Sequence, residues 1–307
     1  MRVEKPDKGV AEAYDAASAT WDNKIQDPRS YHFWSYGAFD RVVQPYADGS
    51  KAILDIGCGT GAWLAGQGKK KAGRLLVGID VSPKMARRAV ASGCPTLIAD
   101  AQRQPFKDRA FDLVVSRGDA IAQAYDPVEA FREVRRVLAS GGHVCFEMHF
   151  VLPSESLFEG LEHHNGKVVY RRDSIIDEGV KIQVIKRYHL PPGEVQRRAE
   201  KEIGDEPFCR CKWPSQLVPE RASVHETHLL RGTEDNVRAL LERSGLTVVN
   251  VLGTGLLGHL VSTGRLSSEL IERLIGNTDL TLAIATAFSP YTNLADCGRA
   301  TVIGAKK

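Results

Sequence analysis

Glycine recurs three times in the stretch ILDIGCGTG, residues 53–61, directly after a run of apolar residues. Glycine tolerates a positive φ and has no Cβ, so Gly57, Gly59 and Gly61 would let the chain turn sharply and let a ligand lie against its backbone. The spacing differs from the phosphate loop GxxxxGK(S/T) and from the dinucleotide loop GxGxxG. The pattern therefore predicts a cofactor site of another kind.

Two acidic residues narrow the chemistry of that site. Asp55 precedes the first glycine by two positions, and Asp80 ends the next apolar run, LLVGID. A carboxylate ahead of the loop would repel a pyrophosphate but would suit a ligand that carries an ammonium group. A carboxylate at the end of the second strand can accept both hydroxyl groups of a ribose.

The elements that must position these residues alternate in type from residue 51 onward. The short apolar runs are 52–56, 75–79, 96–99, 111–115 and 143–148. The clearest helix lies in DPVEAFREVRRVLASGG, residues 126–142, where apolar residues recur at steps of three and four and where we expect Gly141 and Gly142 to end it. Strands that alternate with helices predict an α/β fold with a doubly wound, mostly parallel sheet.

Changes of texture along the chain suggest four regions. Residues 1–50 are helical and rich in aromatic residues, and residues 51–150 carry the strand and helix alternation. In residues 151–231 the alternation breaks, and KVVYRR and GVKIQVIKRYHL predict an antiparallel hairpin among loops that are rich in proline. In residues 232–307 the alternation resumes, with Thr233 as the expected N-cap of a helix and with further helical segments before a last strand. We expect an N-terminal helical cap, a core, an inserted lid and a C-terminal part of the core sheet.

Composition limits the classes of function. Of the 307 residues 43% are hydrophobic and 26% charged, which is typical of a folded globular protein, and the net charge of +3 gives little support for a nucleic-acid partner. No apolar stretch approaches the ~20 residues of a membrane span, and the N-terminus lacks the apolar region of a signal peptide. We expect a cytoplasmic protein without a membrane partner. The six cysteines are scattered, and Cys209 and Cys211 alone are a weak metal signal, so no metal site is expected.

Five segments carry a resemblance to a known family. They are ILDIGCGTG, VGIDVSPKM, IADAQRQPF, FDLVVSRG and FREVRRVLASGGHVCFE. In this order they resemble the successive motifs of the class I (Rossmann-like) S-adenosylmethionine (SAM) dependent methyltransferases that act on small molecules. The resemblance is close over about residues 50–150 and looser over the final helix and two strands. It implies a seven-stranded sheet and SAM as the cofactor.

The resemblance also implies which residues hold the cofactor. The three glycines would pass under its methionyl and ribose portion, and Asp55 would face its amino group, directly or through water. Asp80 would bind the ribose hydroxyls, and an N-terminal helix that folds across the site would bring Tyr14, and also Trp21, over the cofactor. The remaining implied contacts are Val81 on the adenine face, Asp100 and the backbone of Ala101 on the adenine edge, and Ser116 and Arg117 at the methionyl end.

Candidates for the acceptor side are histidines and aromatic residues. His149 follows the fifth strand, whose carboxyl end should face the transferable methyl group, so we predict that it acts as a base. His225 and His228 would share one helical face if a helix formed there, as a substrate-binding pair or as plain surface. His32 and Trp34 would line an aromatic acceptor pocket or would only pack their helix.

The implied activity is transfer of a methyl group to a small-molecule acceptor, with oxygen slightly favoured over nitrogen or carbon, in what would be secondary metabolism. One alternative keeps the SAM-binding fold for a reaction without methylation, such as a cyclisation. A second alternative is an RNA methyltransferase. The fourth strand ends in SRGD and not in an NPPY-like stretch, which disfavours amino groups of bases and of glutamine as acceptors. Neither the acceptor nor the oligomeric state can be derived from the sequence.

Overall fold

The computed structural model describes most of the chain, namely residues 8–124, 126–150, 158–164, 167–177, 181–190, 192–206, 208–209, 227–262, 265–288 and 299–306. The helices are α1 (Lys8–Ala17), α2 (Trp21–Gln26), α3 (Tyr31–Gly49), α4 (Ala62–Lys70), α5 (Pro83–Ala91), α6 (Pro127–Val137), α7 (Glu194–Ile203), α8 (Glu234–Arg243), α9 (Leu256–Ser262), α10 (Ser268–Gly276) and α11 (Thr278–Phe288). Within these residues, none of the helices has both the length and the apolar character that crossing a membrane requires.

The strands are β1 (Ala52–Ile56), β2 (Leu75–Asp80), β3 (Thr96–Ile98), β4 (Phe111–Ser116), β5 (Leu138–Phe150), β6 (Glu159–His164), β7 (Lys167–Asp177), β8 (Lys181–His189), β9 (Phe208–Cys209), β10 (Thr227–Gly232), β11 (Thr247–Leu252) and β12 (Arg299–Ala305). Seven of them form a central sheet in the order β3-β2-β1-β4-β5-β12-β11. Strands β1 to β5 are parallel to one another, whereas β12 runs antiparallel to β5 and to β11. The predicted doubly wound, mostly parallel seven-stranded sheet is confirmed.

Helices cover both faces of this sheet, because successive strand residues point to opposite sides. On one face Leu54 and Val114 belong to a buried cluster with residues of α6 and α8. On the other face their neighbours Ile53 and Leu113 belong to a cluster with residues of α3, α4 and α5. Nearly continuous apolar strands follow from this burial on both sides.

The inserted strands extend the central sheet. The order continues from β5 through β10, β8, β7 and β6 to β9. The predicted antiparallel hairpin is present as β7 and β8, with a register from Val169↔His189 to Asp177↔Lys181. Pairing of β4 with β5 ends at Ser116↔Phe146, and β10 pairs with β5 farther along, at His149 and Phe150. The sheet therefore divides between β4 and β10, beside the carboxyl end of β5.

The structure corrects two details of the sequence-based prediction. Helix α6 ends at Val137 and not at Gly141, because Leu138 has the extended φ of −69° and ψ of 135° and already pairs with Phe111 of β4. The proline-punctuated stretch after residue 190 contains helix α7, whose Ala199 and Ile203 are buried against β6 and β7. In contrast, Thr233 caps α8 as predicted, in a capping box with Asn236.

Candidate active site

The glycine loop follows β1 at the carboxyl edge of the sheet. Gly57, Gly59 and Gly61 have φ values of 71°, 56° and 76°, a region that L-residues with a Cβ rarely adopt. The amide of Gly57 donates to the carbonyl of Ile79 at 2.8 Å, which ties the loop to β2. A Cβ on Gly57 would lie 2.1 Å from the Cβ of Ala120, so this position has no room for a side chain.

Asp80 closes the loop from the second strand. Its carboxylate accepts hydrogen bonds from the amides of Gly59 at 2.9 Å and Ser82 at 2.8 Å, one on each oxygen. Burial raises the pKa of Asp80 to about 6, although these two amides lower it. Each carboxylate oxygen still has acceptor capacity for a ligand hydroxyl.

Asp55 is the second buried acid of the pocket. Its side chain is only 2% exposed, and its Oδ1 atom has no hydrogen-bond partner among the described residues. Burial raises the pKa of Asp55 to about 7, against a lowering by Arg117 and with further increases from Asp40 and Asp80. A buried carboxylate oxygen with no donor is costly unless a ligand supplies one.

Arg117 is the cation of this pocket. Its guanidinium contacts both carboxylate oxygens of Asp40, at 3.2 and 3.3 Å, and lies 4.7 Å from the ring centroid of Tyr36. Since Asp40 already balances its charge, Asp55 and Asp80 leave the pocket with an excess of negative charge. The pocket therefore suits a ligand with a net positive charge.

Helices α1 and α2 cover the pocket. Tyr14 and Trp21 line it and contact each other edge to face, with ring centroids 5.6 Å apart. Asp15 on α1 accepts from the Ser82 hydroxyl and from the Lys84 amide at the start of α5. Asp22 on α2 accepts from the Thr60 hydroxyl in the glycine loop and from Arg88 at 2.6 Å. These side chains attach both helices directly to the cofactor loop and its neighbouring helix.

On the other side of the pocket, the loop after β4 meets the end of β5. The amide of Gly118 donates to Glu147 at 2.8 Å, and the second oxygen of Glu147 accepts from Ser35 at 2.7 Å. Asp119, 3% exposed at its side chain, lies 3.3 Å from Nε2 of His149 through its Oδ2. An acid two residues beyond Arg117 therefore lies beside a histidine at the end of β5.

Comparisons with known proteins agree with this geometry. Residues 54–146 match the family described as methyltransferase domain. An uncharacterized protein of Methanocaldococcus jannaschii is 28% identical over 189 residues, which are 59% of this chain and 70% of that protein. A malonyl-acyl-carrier-protein O-methyltransferase of Herminiimonas arsenicoxydans is 36% identical over 107 residues, which are 35% of this chain and 39% of that enzyme. The chain thus spans well under half of the length of this second relative.

A solved structure extends the similarity of fold to the whole chain. The (4+2)-cyclase SpnF superposes with a TM-score of 0.53 at 16% identity, over 100% of this chain and 99% of that one. The domain match, the order of the motifs and the sheet topology agree. Residues 54–146 thus form a methyltransferase domain, and the central sheet has the class I SAM-dependent methyltransferase fold. SAM is accordingly its cofactor.

The residues present fit SAM as this family binds it. SAM carries a sulfonium and an ammonium group, and the pocket offers the unpartnered oxygen of Asp55 and an excess of negative charge. Of the residues predicted to hold the cofactor, the structure places these around the pocket: Tyr14, Asp55, Gly57, Gly59, Asp80, Val81 and Arg117. Gly61 lies one step behind them, where it precedes α4 and packs against Ala89 and Cys94.

Three predicted cofactor residues of this methyltransferase lie outside the pocket lining. Asp100 accepts from the amide and side chain of Gln102, at 2.9 and 3.0 Å. Ala101 is buried in the core cluster that includes α6. The Ser116 hydroxyl accepts from the Ile121 amide at 3.0 Å. The polar groups of Asp100 and Ser116 thus form hydrogen bonds with residues close to them in sequence. The predicted contacts of all three residues with SAM stay predictions.

The predicted acceptor residues separate. His32 lies among aromatic rings, 5.8 Å from the ring of Trp21 and 5.5 Å from that of Tyr36, which both line the pocket. Trp34 points the other way: it is fully buried, and its indole N–H donates to the Pro28 carbonyl at 2.8 Å. Of the two roles predicted for Trp34, this position favours packing of its helix. His225 lies outside the described residues, and His228 lies on strand β10 and not on a helix.

Sequence reasoning missed several members of this site. Asp40, Glu147 and Asp119 each meet a partner that is at least 29 positions away along the chain, which no local pattern reveals. Tyr36 could have been found, because it follows His32 by one helical turn and so shares its face of α3.

Proposed function

We propose that this protein transfers a methyl group from SAM to a small-molecule acceptor, with a hydroxyl oxygen as the favoured acceptor atom. The observation that carries this proposal is the closure of the pocket by α1 and α2, which Asp15 and Asp22 attach to the cofactor loop and α5. A pocket enclosed by the chain's own aromatic residues suits a compact acceptor better than a duplex or a long strand. The proposal concerns the acceptor; the cofactor follows from the family.

Bound SAM supplies an electrophilic methyl group on a good, neutral leaving group. The residues of this chain then have to align the acceptor with that methyl group and exclude water, which is worth roughly 7–11 kcal/mol in well-oriented systems. Asp55 would accept from the ammonium group, and Asp80 from the ribose hydroxyls. Tyr14 and Trp21 would cover the cofactor and keep water out of the pocket.

We further propose that the inserted strands help to choose the acceptor. Strand β10 pairs with the end of β5 at His149, so the insertion begins and ends beside the predicted base. Segments that close over a site commonly select its substrate. We accordingly assign acceptor selection to residues 151–231, where the resemblance to the family is weakest.

Two measurements test the proposal. Calorimetric titration with SAM and with S-adenosylhomocysteine should show binding of both by the wild type and much weaker binding by Asp80→Asn. Release of S-adenosylhomocysteine is then screened with libraries of hydroxyl-, amine- and carbon-acceptor compounds, and with total RNA as a separate arm. Release with a small hydroxyl compound supports the proposal. Release with RNA alone, or cofactor binding without release in any arm, would overturn it.

A further inference from the structure

The carboxyl ends of β4 and β5 bring a histidine and an acid together beside the pocket. His149 is the penultimate residue of β5, and its Nε2 lies 3.3 Å from Oδ2 of Asp119. Asp119 is almost completely buried, whereas the side chain of His149 is 23% exposed. The histidine can therefore meet a ligand while its partner stays shielded from water.

The backbone of the loop is shaped to hold Asp119 in this place. Gly118 and Asp119 both have positive φ values, 72° and 68°, which is uncommon for a residue with a Cβ. The loop is fixed by hydrogen bonds on both sides of the acid: the amide of Gly118 donates to Glu147, and the carbonyl of Asp119 accepts from the amide of Gln123 at 2.9 Å. Strained conformations of this kind persist where the surrounding structure over-determines them, often at functional sites.

A second contact links this loop to the cofactor side. A Cβ on Gly118 would lie 2.1 Å from the hydroxyl oxygen of Tyr36, so the aromatic ring packs directly on the loop. Tyr36, Arg117 and Gly118 all line the pocket. The acid and histidine therefore adjoin the space in which an acceptor must approach the cofactor.

We propose that Asp119 is a positioning residue that holds the hydrogen of His149 on Nε2 and so makes Nδ1 the base for the acceptor. The inference rests on the proposed function and deepens it: the acceptor is a hydroxyl compound that enters the site un-ionised and must lose its proton during transfer. Acceptors that need no deprotonation would not require this pair.

The chemistry of the step balances with these residues. Nδ1 of His149 takes the hydroxyl proton while the new oxygen–carbon bond forms and the carbon–sulfur bond breaks, with that bond's electron pair left on sulfur. The products are a methyl ether, a neutral thioether and an imidazolium ring, and the proton then passes to water. The Asp119 carboxylate stabilises the imidazolium, as a buried acid behind a histidine does in other enzymes.

Other charged groups near His149 do not replace Asp119. Glu147 shares its face of β5 but accepts from Ser35 and Gly118. Arg231 of β10 and Arg299 of β12 are in register with His149 across the sheet. Among these groups Asp119 is the acid in contact with the ring.

The first test needs no acceptor. Nitrogen NMR of the ring-labelled protein, in its complex with S-adenosylhomocysteine, should show the neutral His149 ring with its hydrogen on Nε2. In Asp119→Asn the population with the hydrogen on Nδ1 should rise. His143→Gln, on the same strand but at its other end, serves for signal assignment and as the control, and should leave the His149 signals unchanged. A wild-type ring with its hydrogen on Nδ1 would overturn the proposal.

The second test uses the acidity of the acceptor. Methylation of 4-methylphenol and 4-nitrophenol is compared at a pH at which the first is mainly neutral and the second mainly ionised. Asp119→Asn and His149→Gln should lower kcat for the neutral phenol by about 10²- to 10⁴-fold, the range of general-base catalysis, and for the ionised phenol by no more than about threefold. Equal losses for both phenols would show a merely structural pair.

The two tests keep this inference apart from the proposed function. If no compound of any class releases S-adenosylhomocysteine, the proposed function fails, and the NMR result still decides whether Asp119 sets the tautomer. If amines are methylated but neither phenol nor any other hydroxyl compound is, the methyltransferase stands and the inference of a hydroxyl acceptor fails.

Discussion

The two ends of the pocket are built in different ways. At the cofactor end, the hydrogen bonds come from backbone amides. Gly57 donates to Ile79, and Gly59 and Ser82 donate to Asp80, all within the first two strands and the turns that follow them. At the acceptor end, side chains from distant parts of the chain meet. Ser35 and Glu147 are 112 positions apart, and Asp40 and Arg117 are 77 apart.

This difference shows what each end can tolerate. A loop fixed by backbone amides depends on a few glycines and acids close together in sequence, so it recurs in many proteins that bind the same cofactor. At an end that is assembled from separate side chains, substitutions can replace these side chains one at a time while the glycine loop stays intact. We therefore expect substitutions at the cofactor end to affect every acceptor alike, and those at the acceptor end to discriminate between acceptors.

The largest expected effect is that of Gly57→Ala. Both this change and its matched control Gly73→Ala add a Cβ at a positive φ, 71° and 79°, but only Gly57 faces an atom, the Ala120 Cβ at 2.1 Å, whereas nothing lies within 4 Å of the added Cβ at Gly73. The conformational strain costs about 1–2 kcal/mol at each site, and the overpacking at Gly57 adds about 1–3 kcal/mol. Denaturant unfolding should show a larger loss of stability for Gly57→Ala than for Gly73→Ala, and SAM titration should show a loss of SAM binding for Gly57→Ala alone. Equal behaviour of the two variants would contradict the tight contact.

The next largest effect is expected for Asp55→Asn. The variant keeps the shape of the side chain but loses a charged acceptor for the ammonium group, which is worth about 1.5–3 kcal/mol, or roughly 10- to 100-fold in SAM affinity. Its thermal stability should equal or exceed that of the wild type, because a buried carboxylate with an unpartnered oxygen disappears. Unchanged SAM affinity in calorimetry would remove Asp55 from the cofactor site.

The pH dependence of SAM binding also tests whether Asp55 binds the ammonium group of SAM. Burial raises the pKa of Asp55 to about 7, so below that pH the carboxyl group of the free protein is increasingly protonated and has no charge to offer. SAM affinity should fall as the pH falls from 8 to 6, by up to about tenfold per pH unit below the pKa. Asp55→Asn should flatten this part of the profile; a wild-type profile that stays flat over the range would argue against an ionised Asp55 in the complex.

The smallest effect is expected for Asp22→Ala, which detaches α2 from Thr60 and Arg88. Loss of about 1 kcal/mol in the closed state corresponds to a roughly fivefold faster release of SAM. Asp279→Ala, which breaks the exposed pair with Arg41 on α3, is the control and should leave release unchanged. Stopped-flow displacement measures both rates, and equal rates would mean that Asp22 does not hold the pocket closed.

Much of the fold could be predicted because its signals are local. The capping residue Thr233, the apolar face of α6 and the five apolar strands β1 to β5 each lie within about a dozen residues, and their predicted positions differ from the observed ones by a few residues. The end of α6 was misplaced because pairing of Leu138 with Phe111 overrides the helical pattern. Helix α7 was missed because its burial depends partly on β6, a strand that the sequence analysis does not predict.

The same distinction between local and long-range contacts applies to the residues of the site. The positions of Gly57 and Asp80 at the pocket could be predicted because their spacing is constrained by one turn and two neighbouring strands. For Trp34 the sequence leaves two roles open, because a helix of aromatic residues does not reveal which face meets the core. In α3 that face holds Trp34, while His32 and Tyr36 face the pocket region. Asp119 was missed because its partner lies on another strand, and only the sheet brings the two together.

The fluorescence of Trp21 should report on the position of helices α1 and α2. Its indole nitrogen would lie 3.4 Å from a Cβ on Gly59, and its ring contacts Tyr14 and His32. Trp34 and Trp63 are buried in packed clusters that include core helices, so their emission should be steady when α1 and α2 lift away. In a Trp213→Phe variant, which lacks the fourth tryptophan that lies outside the described residues, the intrinsic fluorescence thus carries a signal from the pocket entrance, and its time course can separate admission of the cofactor from the transfer that follows.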